Sequence, residues 1–373
     1  MIFGGGSSEV TIQRTYNMKK SLFILCLLAG SLWCGAQTSR TMTVEDGGTG
    51  LYHSVIVGDA SLPDFTIYRP ADLKAAVEKN GKLPVILYGN GACMNSSVEA
   101  RYFLNEIASH GYVVVAIGPY NEADFIAHWK DVMKTMAPSG KPVVLANGEV
   151  VKPMTEAEKA EMMKAMQAQR EAEQKAAARS RSKKNAPAPE VPVERRPTNP
   201  RQLLQALDWL TDRNADAASE YYHMLDLEKV SVMGQSCGGA QALGVTHDPR
   251  IASAIILNSG IADMSMQGVD KRQLANLHSP MLYIVGGDED MATPNGTKDF
   301  NNIQGVPVVL LNTGVDGHEG SYYETHGGKY AQAVIKWLDW QMKGKVANAA
   351  FFLDEAVLNL TCPGWTTINK NFQ

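Results

Sequence analysis

The sequence predicts an α/β protein: a mainly parallel central sheet flanked by helices. Three observations carry this. Short apolar, β-branched runs recur along the chain. Helix-compatible stretches lie between them. From Pro84 onward the runs lack the apolar–polar alternation of a half-wet strand, as strands buried on both faces do.

The runs are Ser54–Val57, Phe65–Tyr68, Pro84–Tyr88, Tyr112–Ile117, Val230–Met233, Ala252–Leu257, Met281–Val285 and Val306–Leu311. The helical stretches are Val98–Ser109, Arg201–Thr211, Gly239–Val245 and Lys329–Lys343. Strand followed by helix, repeated, argues for parallel strands covered on both sides. The two earliest strands are expected to form an antiparallel edge.

One stretch breaks the rhythm. About 80 residues separate Ile117 from Arg201, where a strand-to-helix connection needs about 2–6. We therefore assign residues 121–200 to an insertion. Within it, Asn147-Gly148 sits between Val143–Ala146 and Glu149–Val151, a hairpin signal. Thr155 and Glu158 form a capping box that opens a helix rich in Ala, Glu, Lys and Met. Residues Thr155 to Lys184 hold eight basic and five acidic side chains, a net charge of +3. Asn185–Pro200 holds five prolines and reads as an extended linker. Asn199 can cap the following helix, with Pro200 at its first position. The insertion leaves the sheet after a strand's C-terminal end, where α/β folds place their sites. It reads either as a solvated excursion or as a lid or wall over such a site.

At the N-terminus, Met18-Lys19-Lys20 precedes the apolar run Ser21–Leu32, and Cys34-Gly35-Ala36 supplies small residues before Gln37. This reads as a secretory signal cut after Ala36, so residues 1–36 are upstream sequence and signal and residues 37–373 the mature domain. The expected location is periplasmic or secreted, with no stable membrane span after cleavage, since the run is too short to cross a bilayer. A lipoprotein reading on Cys34 is disfavoured by Trp33 before it. A net charge of −4 is too weak to argue for nucleic acid or an acidic substrate. Of five cysteines, Cys93, Cys237 and Cys362 would survive cleavage.

The chemistry centres on Gly234-Gln235-Ser236-Cys237-Gly238-Gly239, between the strand Val230–Met233 and a helix starting near Cys237. A serine nucleophile must stand clear of the sheet, which requires a sharp strand-to-helix turn with glycines where backbones pass closely. The helix N-terminus then offers free N–H groups to developing negative charge. A serine hydroxyl also needs a base, and the base needs an orienting acid. Met281–Val285 is followed by Asp288, Glu289 and Asp290, and Val306–Leu311 is followed by the glycine-rich loop Asn312–Gly320 with His318. Both loops leave the sheet at the edge where Ser236 lies. We take Asp290 as the acid, with Asp288 the fallback, and His318 as the base, with His326 second. Pro84–Tyr88 runs into Gly89–Cys93, whose backbone can form half of an oxyanion hole. The expected donors are the N–H groups of Ala92 and Cys237. Cys93 and Cys237 both fall beside that hole, either within disulfide range or as two small residues filling space.

These pieces resemble secreted serine esterases of the α/β-hydrolase superfamily, in the branch holding cutinase-like polyester hydrolases, dienelactone-hydrolase-like enzymes and chlorophyllase-like proteins. The matching segments are Val85–Ala92, Leu104–Val114, Arg201–Leu210, Val230–Gly239, Met281–Pro294 and Thr313–His318. The resemblance implies the α/β-hydrolase fold and a carboxylic ester hydrolase with a serine nucleophile and no cofactor; no metal is expected, and the expected partner is a small-molecule or glycan-linked ester. It assigns Ser236 as nucleophile, Asp290 as acid, His318 as base, and Ala92 and Cys237 as oxyanion donors. Gln235, Cys237 and the insertion depart from the polyester-hydrolase pattern. Two other readings use the same residues differently: a serine peptidase, or a non-catalytic binding protein on this scaffold.

Overall fold

The computed structural model describes residues 40–43, 47–121, 196–262 and 264–372, together with 143–144, 150–151 and a few single positions between 155 and 193. The signal segment, the Asn147-Gly148 turn, Glu158 of the capping box and most of the basic helix and proline-rich linker lie outside them.

Strands β1 (Arg40–Thr43), β2 (Ser54–Gly58) and β3 (Phe65–Pro70) come first, followed by helix α1 (Leu73–Asn80). Next are β4 (Leu83–Gly89), α2 (Arg101–Ser109) and β5 (Val113–Ile117). The short strands β6 (Val143–Val144) and β7 (Val150–Val151) pair antiparallel, Val143 opposite Val151, within the insertion. The chain continues through α3 (Arg201–Ala215), β8 (Leu225–Gln235), α4 (Cys237–Val245), β9 (Ile251–Leu257) and β10 (Met281–Val285). It ends with α5 (Thr293–Asn302), β11 (Val308–Asn312), α6 (Gly328–Lys343), α7 (Ala349–Leu353), α8 (Glu355–Thr361) and β12 (Thr366–Lys370).

Ten strands form one sheet in the order β1-β2-β3-β5-β4-β8-β9-β10-β11-β12. The stretch from β5 to β11 is parallel throughout. The edge β1-β2-β3 is antiparallel, β2 and β3 as the sequence predicts with β1 added outside them, and β12 closes the other side antiparallel to β11. The α/β-hydrolase fold inferred from the sequence is therefore the fold observed.

The missing alternation in the central strands has its cause here. Ile86 and Tyr88 of β4 pack on one side with α2 and α6, while Val85 and Leu87 pack on the other with α3 and α4. Each central strand thus buries both faces, and the polar side chains buried within them, Ser231 and Ser253, are hydrogen-bonded, Ser231 Oγ to Ser253 O and Ser253 Oγ to Trp337 Nε1. Asn199 does cap α3: its Oδ1 accepts from Arg201 N at 3.0 Å, and Gln202 Oε1 accepts from Asn199 N at 2.8 Å.

Six of these elements escape the sequence reading, the short C-terminal helices α7 and α8 among them. α1 is short, and α5 carries one large apolar residue, Phe300. β1 and β12 are polar edge strands without an apolar run to announce them.

Candidate active site

The turn after β8 is strained in the way a protruding serine needs. Ser236 sits at φ 51°, ψ −118°, a region that costs an L-residue about 1–3 kcal/mol and must be held by its surroundings. Its carbonyl accepts from Ser259 Oγ at 2.6 Å, and its N–H donates to Leu257 O at 2.9 Å. Two glycines are required by contact. A Cβ on Gly234 would lie 2.2 Å from Gly238 O, and one on Gly238 would lie 2.0 Å from Gly89 O. Helix α4 begins at Cys237, so its N-terminus is beside the serine.

His318, on the loop after β11, lies between the other two residues. Its Nε2 is 2.8 Å from Ser236 Oγ and its Nδ1 is 2.6 Å from Asp290 Oδ1. Asp290 is 1 % exposed, whereas Asp288 and Glu289 point to solvent. Burial alone would raise the Asp290 carboxyl, but hydrogen bonds from His318, Ala292 N, Gly286 N and Asn258 outweigh it and hold the pKa below the ordinary carboxylate value. Burial likewise disfavours the His318 imidazolium. The hydrogen bond and charge of Asp290, with the charge of Glu319, overcome that and raise its pKa. His326 is placed elsewhere, its Nδ1 3.5 Å from Glu106 Oε2.

Several supporting residues have no motif of their own. Asn258, fully buried just after β9, donates through Nδ2 to Asp290 Oδ2 at 3.0 Å and Gly317 O at 2.9 Å, with the Tyr330 hydroxyl 3.1 Å away. Tyr322 donates its hydroxyl proton to Asn258 Oδ1. Gln235 is buried, and its Nε2 donates to His318 O at 3.1 Å. It braces the base rather than lining an open pocket. The available sequence signal was position alone: a polar residue following a parallel strand at the edge that carries the serine.

On the oxyanion side, Ala92 is exposed and lies at φ 51°, ψ 17°. The N–H groups of Ala92 and Cys237 find no acceptor among the described residues. Cys93 and Cys237 are joined by a disulfide, Cα–Cα 5.2 Å, which ties Ala92's loop to the turn after Ser236. Near the base, Glu99 is pushed up to about 7 by burial and by the charge of Glu319. Among the described residues, no three His, Cys, Asp or Glu side chains cluster as metal ligands, and no helix is long and apolar enough to cross a membrane.

Chemically, the chain of hydrogen bonds can move a proton from Ser236 Oγ to His318 while Asp290 fixes the imidazole's tautomer. The sequence profile described as platelet-activating factor acetylhydrolase, isoform II, matches residues 56–303, about two-thirds of the chain. No curated protein matches the chain significantly.

Proposed function

Because the chain belongs to the platelet-activating factor acetylhydrolase, isoform II, family of α/β-hydrolase serine esterases, we propose that it is an exported carboxylesterase working through an acyl-enzyme. Ser236 Oγ attacks the ester carbonyl as His318 Nε2 takes its proton. The oxyanion is held by the N–H groups of Ala92 and Cys237, where each such donor is worth about 100- to 1,000-fold in rate. The imidazolium gives its proton to the departing alcohol. The neutral imidazole so regenerated then takes a proton from the water that releases the acid, and Asp290 stabilises the imidazolium each time it forms. The family's name points to a short acyl group, acetyl first. The finer placement among cutinase-like, dienelactone-hydrolase-like and chlorophyllase-like enzymes belongs to this reading and rests on Val85–Ala92 and Gly234–Gly239.

Export rests on the Met18–Ala36 segment, and the mature domain would run from Gln37. Residues 121–200 are proposed as a wall or lid of the site. Two contacts support this: Asn95 Nδ2 donates to Val193 O at 3.1 Å, and Thr198 Oγ1 donates to Cys93 O at 2.9 Å. Both link the insertion's returning end to the loop beside Ser236.

One observation carries the proposal: the 2.8 Å and 2.6 Å contacts through His318 that join a strained serine to a buried carboxylate. The test is hydrolysis of an aryl acetate. Ser236→Ala and His318→Ala should each lose at least about 1,000-fold in kcat/KM. Turnover by Ser236→Ala at the wild-type rate would refute it.

A further inference from the structure

The two loops that would hold the carbonyl oxygen are covalently joined to each other. Cys93 follows Ala92, Cys237 follows Ser236, and their disulfide spans a sequence separation of 144 residues. Ala92 and Cys93 are consecutive non-glycine residues in the left-handed region, at φ 51° and 52°. That conformation costs an L-residue about 1–2 kcal/mol, so a short surface loop needs an outside constraint to keep two of them there.

The constraints converge on Cys93. Besides the disulfide, its carbonyl accepts from Thr198 Oγ1 at 2.9 Å, and that hydroxyl accepts from Gln241 Nε2 at 2.8 Å. The amides of Gln241 and Gln267 also lie 3.5 and 3.4 Å from Cys93 Sγ. Thr198 and Gln241 are buried, whereas Ala92 itself is exposed and makes none of these bonds. Cys237 is fixed independently by helix α4. The Gly91–Cys93 loop is therefore the part free to relax once the bridge opens.

Building on the esterase reading of Ser236, we infer that the Cys93–Cys237 disulfide positions the oxyanion hole, so that catalytic rate depends on the oxidised state of this one bond. A dithiol reductant supplies two electrons and two protons. The Cys93–Cys237 bond breaks to two thiols, and the reductant closes to its own cyclic disulfide. Ala92 then leaves its left-handed conformation and its N–H turns away from the developing oxyanion. The substrate's ground state makes little use of that donor, so the loss falls on kcat and spares KM.

The test uses the purified chain from Gln37, whose cysteines are Cys93, Cys237 and Cys362, oxidised and then reduced with dithiothreitol, with aryl acetate as substrate. The thiol titre should rise by two, while buried Cys362 contributes equally before and after. We expect kcat to fall about 10- to 100-fold with KM within about twofold. A reversible arylboronic acid, which mimics the tetrahedral state, should weaken in parallel, and reoxidation should restore both. Cys93→Ala should resemble the reduced enzyme and no longer respond to reductant. Thr198→Val, which keeps the disulfide, should lower kcat by a smaller factor, and Thr198→Ser should recover it.

A reduced enzyme with unchanged kcat and boronate affinity overturns the inference. So does a native chain whose Cys93 and Cys237 already titrate as thiols. A reduced chain that loses its near-ultraviolet circular dichroism also overturns it, making the bond a staple of the fold. Failure here with Ser236→Ala inactive leaves the esterase reading standing. An active Ser236→Ala removes that reading first.

Discussion

Asn258 shows how much of the candidate site depends on a residue that touches no substrate. It donates to Asp290 and to the carbonyl of Gly317, the residue before His318, and so holds the acid and the base's loop in one frame. A hydrogen bond to a charged group is worth about 1.5–3 kcal/mol. Asn258→Leu should therefore lower kcat on the order of 10-fold with KM little changed, and steady-state kinetics would read this as a loss of orientation. The base has its own signature. His318 acts as a neutral imidazole, and its pKa is raised from the ordinary 6.5. Activity should thus climb with pH, with the midpoint of the acid limb of kcat/KM above that value. Glu319→Gln removes a charge that favours the imidazolium and should move the midpoint to lower pH. An unmoved midpoint would show that Glu319 does not act on the base. At this scale the sequence carried the serine, the histidine and the acid, because each follows a strand on a loop of recognisable composition. The sequence favours Asp290 over Asp288, and the structure adds the reason, since Asp290 is buried and Asp288 exposed. Asn258 and Tyr322 became visible only through neighbours that sheet order brings together.

At the scale of elements, α5 is the clearest gain from the structure. The stretch Thr293–Asn302 has almost no apolar periodicity, so nothing in its residues announces a helix. Its role is polar: buried Asp299 accepts from Ile261 N and Ala262 N, each at 2.7 Å, and so anchors the loop after β9 that also carries Ser259 and Asn258. Asp299→Ala would strand both N–H groups and should cost about 1–3 kcal/mol in urea unfolding. Burial also raises the Asp299 carboxyl from 3.8 to about 6, against the lowering effect of its hydrogen bonds. In that window the folded state holds a proton the unfolded state has released. Stability from this group is therefore full below 3.8 and falls as pH rises through about 6. Asp299→Asn should flatten that part of the stability profile. The strand-rich elements were easier to read, because continuous apolar runs report burial on both faces directly. Their ends shifted by one or two residues, save at β8, which begins five residues earlier than its apolar run, because pairing rather than composition decides there.

For the molecule as a whole, the parallel sheet and the site's position at its C-terminal edge were legible, whereas the closing of the far side was not. β12 is polar and half-exposed, yet it pairs along β11 from Val308 to Asn312. Just before it, Trp365 is 1 % exposed and packs edge-on against Tyr330, whose hydroxyl lies beside Asn258. The chain's last strand is thereby coupled to the site through one aromatic contact. Trp365→Ala should cost about 3–5 kcal/mol in thermal or urea unfolding. Should that variant keep wild-type stability, the C-terminal strand would be an ornament rather than part of the core.

Activation of one serine hydroxyl among many, by His318 and Asp290, is the property on which the proposed chemistry turns. Its most direct measurement is reaction of the intact chain with a fluorophosphonate, followed by proteolysis and tandem mass spectrometry. One equivalent of adduct is expected on the peptide carrying Ser236, absent from Ser236→Ala and strongly slowed in His318→Ala. An adduct on a different serine, or none on the active wild-type protein, would contradict it.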